Sequence, residues 1–221
     1  VAQDFDKQQE KGEAYISLFM RLRAKGVEDM RLFAALEQTP RPAFIDPKYR
    51  RQALDNGAFP IECGEYIERL DEQAQLIAAL NLEPKHRVLE VGSGSGFTAA
   101  LLGRLALRVT GLERYKMLAD GARLQCRRLG LSNVVIRHAD ALAEPRGSGP
   151  YDRIIVWPAV AAEPAQLIDL LAGNGVLLAP IGPAEEQQTI IRYAKTGSRF
   201  ETRELFKVRY GPICEGLAAF L

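Results

Sequence analysis

After Pro84 the hydrophobic and polar positions alternate between short, mostly apolar runs and longer amphipathic ones. The apolar runs are RVLEV, RVTGL, VVIRH, IIV and GVLLAP; between them lie helical patterns from Phe97 onward, over residues 115–129 and through LIDLL. Strands apolar on both faces, separated by helices, predict a parallel sheet covered on both sides, since a crossover helix returns the chain for parallel pairing. Two further runs, TIIRYA and FETRELFKV, are joined only by KTGS. That connection is too short for a crossover, so the two are expected to pair antiparallel.

Ahead of Pro84 the periodicity is helical over residues 15–25, and Gly26 stands where a left-handed residue would end the helix. Asp29 can cap a second helix with Leu32, Phe33 and Leu36 on one face, stopped by Pro40 and Pro42. Residues 56–70 show no clear period and contain Gly57, Pro60 and Gly64, which predicts a loop able to pack over a site. A further helix should follow, burying Leu70, Ala74, Ile77 and Ala78. The expected division is a helical extension and active-site loop over residues 1–83 and an α/β core over residues 84–221, in one compact domain.

At 221 residues, 47% hydrophobic and 26% charged, the composition is that of a globular domain, and no uninterrupted apolar run approaches the ~20 residues of a membrane span. The opening VAQDFDKQQEKGE lacks the basic start and apolar core of a secretory signal, so a cytoplasmic protein without a membrane partner is expected. Cys63, Cys126 and Cys214 are far apart and form no CxxC, which argues for neither a disulfide framework nor a metal site. The net charge is +1, and Arg123, Arg127 and Arg128 have the spacing of a solvated helix face, so nucleic acid is unsupported as a partner.

Residues 88–96 read VLEVGSGSG, a buried strand running into glycines and then a helix. Such a turn brings a ligand close to backbone where a Cβ would intrude. Glu113 closes the next strand, where a carboxylate can accept both hydroxyl protons of a ribose. A dinucleotide fingerprint needs its third glycine at position 97, which here is Phe97, with Gly96 one place early. Glu90, just before the turn, would oppose a pyrophosphate and suit a ligand with cationic groups, such as S-adenosylmethionine. A carboxylate bonded only to local amides is its alternative reading.

E-x-G-x-G-x-G with an acid ending the second strand resembles the Rossmann-like methyltransferase superfamily. The resemblance implies a largely parallel seven-stranded sheet with its final strand inserted antiparallel. It also implies S-adenosylmethionine held by Glu90, Gly92, Ser93, Gly94, Gly96 and Glu113, with Asp140 of RHADA toward the adenine amine. Asp140 as a cap for the next turn is the competing reading. Over roughly residues 20–215 the chain further resembles the protein-L-isoaspartate O-methyltransferases. The matching segments are RLRAKGVEDMRLFAALEQTPRPAFIDPKYR, NGAFPI, VLEVGSGSGFTAALLGRL, GPYDRIIV and KVRYGPI. This implies repair of isoaspartyl sites in proteins or peptides.

That family carries a stretch like PIGxGQTISQP, with a threonine and a serine hydroxyl near the acceptor. Placed without gaps this chain reads PIECGEYIERL, putting Tyr66 at the threonine, Glu68 at the serine and Leu70 at the proline. An isoaspartate carboxylate with a pKa of about 4 is already an anion at neutral pH and needs no general base. An ionised Glu68 ~4 Å from it would oppose it by ~4 kcal/mol at an effective dielectric of ~20. Glu68 is therefore turned away, paired (Arg69 is adjacent) or protonated, or else it acts as general base on an amine or hydroxyl of another, small-molecule acceptor. A non-catalytic S-adenosylmethionine-binding module is a third reading. Trp157, after the fourth strand, is a candidate lining residue of the acceptor pocket.

Overall fold

A computed structural model describes residues 2–143, 149–197 and 199–218, with side chains from residue 12 onward. Helix α1 (Ala2–Arg23) begins well before the periodicity that predicted it, and Gly26 ends it at φ +80°. The Gly26 and Val27 amides close the last turn onto the carbonyls of Arg23 and Leu22. The Asp29 side chain caps α2 (Met30–Gln38) by accepting from the Arg31 amide, and Leu32, Phe33 and Leu36 are buried as the pattern required. Short 3₁₀ turns over Arg41–Phe44 and Pro47–Gln52 follow.

The segment predicted as a loop able to pack over a site contains a small antiparallel ladder of β1 (Phe59–Pro60) and β2 (Tyr66–Ile67), pairing Phe59 with Ile67 and Pro60 with Tyr66. A 3₁₀ turn over Glu62–Gly64 links them, with Cys63 at φ +64°. Helix α3 (Leu70–Ala79) buries Leu70, Ala74 and Ile77, whereas Ala78 is half-buried. Arg21 of α1 grips the fully buried Asp71 of α3 through both carboxylate oxygens, at 2.9 and 3.0 Å. A buried carboxylate without such a partner would be strongly destabilising.

From Arg87 onward the predicted alternation is realised as β3 (Arg87–Val91), α4 (Phe97–Leu105), β4 (Arg108–Glu113), α5 (Lys116–Arg128), β5 (Val134–His138), β6 (Tyr151–Val156), α6 (Ala165–Ile168), β7 (Leu171–Ile181), β8 (Gln188–Thr196) and β9 (Arg199–Val208). The helix through LIDLL shrinks to one turn because Leu171 already belongs to β7. These strands form one seven-stranded sheet in the order β5-β4-β3-β6-β7-β8-β9, parallel from β5 through β7. The last strand pairs antiparallel with β8, as the short KTGS connection requires, and β8 is also antiparallel to β7. Strand β9 lies at the sheet edge rather than inserted between two others, because β8 already pairs with β7 on its inner side and leaves only its outer edge to β9.

Alternate residues of the central strands feed two cores. Val88, Ile155 and Leu178 join Leu18, Leu32, Ile77, Phe97 and Leu101 on one face, while Leu89, Ile154 and Leu177 join Leu167 and Ile168 on the other. The N-terminal helices thus share a core with α3, α4 and the sheet. No helix among the described residues is long and apolar enough to cross a membrane.

Candidate active site

Strand β3 is flanked by β4 on one side and β6 on the other, so the chain winds in opposite directions from it. At such a switch point the loops leaving the C-terminal strand ends part and leave a crevice. A cavity lies there, lined by the glycine turn after β3, by Glu113 at the end of β4 and Tyr115 beyond it, by Ala139 and Ala141 after β5 and by Trp157 and Pro158 after β6. Its remaining walls are residues 61–68 with Gln73, and the segment 211–214 that follows β9.

The turn needs its glycines for two reasons. Gly92, Gly94 and Gly96 take φ of +80°, +51° and +86°, and a Cβ on Gly92 would lie 2.8 Å from Pro158. Its amides are already engaged: Gly92 and Ser93 donate to the Leu112 carbonyl, Gly96 to that of Ser93, and Gly94 to the Glu113 carboxylate at 2.8 Å. A turn in this state offers few free N–H groups to a pyrophosphate. Glu113 also accepts from the Tyr115 amide at 2.9 Å, and each oxygen keeps a lone pair for a further donor.

Glu90 is fully buried behind this wall. Its Oε1 accepts from Thr98 Oγ1 at 2.5 Å and from Trp157 Nε1 at 3.0 Å, whereas Oε2 has no partner among the described residues. Burial raises its pKa, against the hydrogen bonds that favour the anion. The alternative of local amide partners does not describe it, since both its bonds come from side chains. Trp157, singled out from sequence, lines the cavity and ties it to Glu90; Thr98, which does the same, carried no sequence signal beyond its place in α4.

Asp140 is placed otherwise than the adenine expectation suggests. Its Oδ1 accepts from the Leu142 amide at 2.8 Å, as the turn-capping reading has it, and its Oδ2 from the Gly216 amide at 2.7 Å. Its neighbours Ala139 and Ala141 line the cavity, while Asp140 anchors the C-terminal segment. That segment is fixed further by the Ala159–Gly211 and Ile213–Ala159 backbone bonds and by Arg114, which donates to the carbonyl of Gly216.

The opposite wall holds Glu68. Arg41, with no exposed surface, donates to the carbonyls of Ala53, Gly57 and Glu68 and lies over the rings of Phe59 and Phe97. Burial lowers its pKa only to about 10, so it stays cationic. With its backbone held this way, Glu68 lines the cavity and its carboxyl pKa is pushed up to about 8, by burial first and then by Glu72 and Glu65, against Arg69 and Arg41. Arg69 is itself spent mainly on Glu72, at 3.9 Å. Of the ways around the expected repulsion, protonation is the one these surroundings favour.

A mainly parallel seven-stranded sheet with a phosphate-averse glycine turn and an acid ending the second strand defines the class of Rossmann-like methyltransferases. Residues 13–218 match the family model described as protein-L-isoaspartate(D-aspartate) O-methyltransferase, and the chain belongs to that family. It is 42% identical over 202 residues to the protein-L-isoaspartate O-methyltransferase of Rhizobium meliloti (strain 1021), covering 91% of this chain and 99% of the relative. Against that of Rhodopseudomonas palustris (strain BisB18) the identity is 43% over 199 residues, covering 90% and 92%. The fold is similar to a crystal structure from Plasmodium falciparum of a putative protein-L-isoaspartate O-methyltransferase in complex with S-adenosyl-L-homocysteine. There the TM-score is 0.77 at 25% identity, covering 90% of this chain and 97% of that one.

Proposed function

We propose that this protein uses S-adenosylmethionine to methylate the free carboxylate of isoaspartyl residues in cytoplasmic proteins or peptides. The observation that carries the reading is one cavity with the glycine turn and Glu113 on one wall and the Glu68 loop on the other. Residues 84–221 then supply mainly the cofactor side and residues 1–83 the acceptor side of a single domain. Family membership favours this over transfer to another acceptor or a non-catalytic module.

The residues present fit the cofactor. Gly92 and Gly94 line the cavity with bare backbone at positive φ, while Gly96 lets the turn pack on Ala122 of α5; Glu113 has lone pairs for the ribose hydroxyls, and Ala139 and Ala141 leave room for a flat base. Ser93 lines the cavity, and Glu90, buried behind it with one unpartnered oxygen, adds to an environment that favours positive charge over phosphate. Bound there, S-adenosylmethionine supplies an electrophilic methyl on a sulfonium. The protein then has to orient an acceptor already ionised, exclude water and tolerate its charge, and the cavity contains no group that must take a proton. A neutral Glu68 carboxyl donates a hydrogen bond where an ionised one would repel, and Asp140 acts through the segment it anchors.

Labelled-cofactor assays should show methyl transfer to an isoaspartyl peptide and none to its aspartyl control; transfer to neither sinks the reading. Calorimetry should detect S-adenosylmethionine and S-adenosylhomocysteine, and much weaker binding of NAD. Glu113→Ala is expected to weaken both adenosyl ligands by roughly 1.5–3 kcal/mol, as a charged acceptor is lost. Unchanged affinity in a folded variant removes Glu113 from the site.

A further inference from the structure

The cavity wall formed by residues 61–73 is rich in groups that accept hydrogen bonds and short of groups that donate them. Glu65 and Glu68 line it, and Glu62 is exposed one turn earlier on the same loop. None of the three has a cation within 4.0 Å among the described residues. An independent sign comes from α3: Gln73 lines the same cavity at 4% exposure, and its Oε1 has no hydrogen-bond partner among the described residues. Buried acceptors in native proteins are normally satisfied, so this wall is complementary to a ligand that brings N–H donors and positive charge. In the reading above, Glu113 on the other wall answers the hydroxyl groups of the cofactor, with Glu90 buried behind that wall, which leaves the 61–73 wall to the acceptor.

The acceptor carboxylate alone is a poor match for an acidic wall; a neighbouring ammonium or guanidinium cancels its charge and gives Glu65, which is hydrogen-bonded by Tyr115 but has no cation beside it, a counter-charge. Tyr66, 59% exposed beside Glu65, offers an aromatic face to the methylene stem and head of such a side chain. We infer that Glu65, with Glu62 beside it, sets acceptor specificity by selecting isoaspartyl peptides that carry a lysine or arginine next to the isoaspartyl residue. The inference rests on the isoaspartyl reading and deepens it. The high pKa of Glu68, due after burial to Glu72 and Glu65, is a further mark of a wall short of counter-charge.

The test is kcat/KM for three isoaspartyl peptides that differ only in the next residue, lysine, alanine or glutamate, with wild type and with the double variant Glu62→Gln, Glu65→Gln. The wild type should rank them lysine, alanine, glutamate, with a spread of about tenfold at low ionic strength that shrinks as salt is added. In the double variant the spread should fall to about twofold or less, while S-adenosylhomocysteine affinity reports that the cofactor side is intact. Equal rates on all three peptides with wild type, or a ranking that persists in the double variant, overturn the inference and leave the isoaspartyl reading standing. Failure of wild type to methylate any of the three overturns that reading, and this inference with it.

Discussion

Wild-type methylation of an isoaspartyl peptide is expected to decline as the pH rises through about 8, by about tenfold per unit above it, while Glu68→Gln shows no such limb. Near pH 7 only about one-tenth of Glu68 is ionised at that pKa, so in the proposed reaction it would meet the acceptor as a neutral donor. Above it the anion faces another anion, and the ~4 kcal/mol repulsion returns. Glu68→Gln keeps a donor and loses the charge; Glu68→Ser offers a smaller hydroxyl and should behave alike in its pH profile.

Stability gives a second readout. The folded carboxyl keeps its proton up to about 8, whereas the unfolded one releases it near 4.5. Between those values the folded state binds the extra proton, so the contribution of Glu68 to stability is full below about 4.5 and is lost as the pH rises toward 8. Glu68→Gln should therefore gain stability relative to wild type across that window and level off above it. Parallel melting curves and identical pH–rate profiles for the two proteins would show that Glu68 is ionised throughout or irrelevant to the acceptor.

The second large effect is expected at Gly96. An alanine there would place its Cβ 2.7 Å from Ala122 Cβ and 2.9 Å from Ala122 Cα, at φ +86°. Ala122 is fully buried on α5, so no rotamer change relieves the contact and α5 must move away from α4. The left-handed conformation costs about 1–2 kcal/mol and the overpacking about 1–3 kcal/mol more. Together this is a large part of a stability of about 5–15 kcal/mol, and at about 2–4 °C per kcal/mol the melting temperature should fall by about 5–15 °C. Gly121→Ala, in the same helix but with nothing within 4 Å, should be neutral or stabilising by up to about 1 kcal/mol. Equal melting shifts for the two variants would remove the packing account of Gly96.

What the sequence disclosed was what periodicity and steric necessity write into it. The strands from Arg87 onward are apolar because both faces are covered, and Gly26 and Asp29 stand at helix ends for reasons local to the backbone. The ladder at Phe59 and Tyr66 was hidden because two-residue strands have no period and its turn relies on Cys63 at positive φ. The environments of Glu68, Glu90 and Asp140 were hidden for another reason: each depends on partners far away in sequence, such as Arg41, Trp157 and Gly216. A charged residue with no exposed surface, as Arg41 is, runs against the ordinary preference of arginine for solvent, and composition cannot reveal it.

Arg41 also bears on how the molecule opens. It joins the 3₁₀ turn at its own position, the carbonyls of Ala53, Gly57 and Glu68, and the ring of Phe97 at the start of α4. Losing one of these contacts leaves a buried cation or an orphaned carbonyl, so intermediate states with one released and the others kept are disfavoured. Residues 41–68 are therefore expected to exchange their amide hydrogens as one cooperative unit rather than as a loop fraying by itself. Opening of the cavity wall at residues 65–68 is then expected to follow the local unfolding equilibrium of that unit, so that a large protein acceptor under the proposed function would depend on it more than a short peptide.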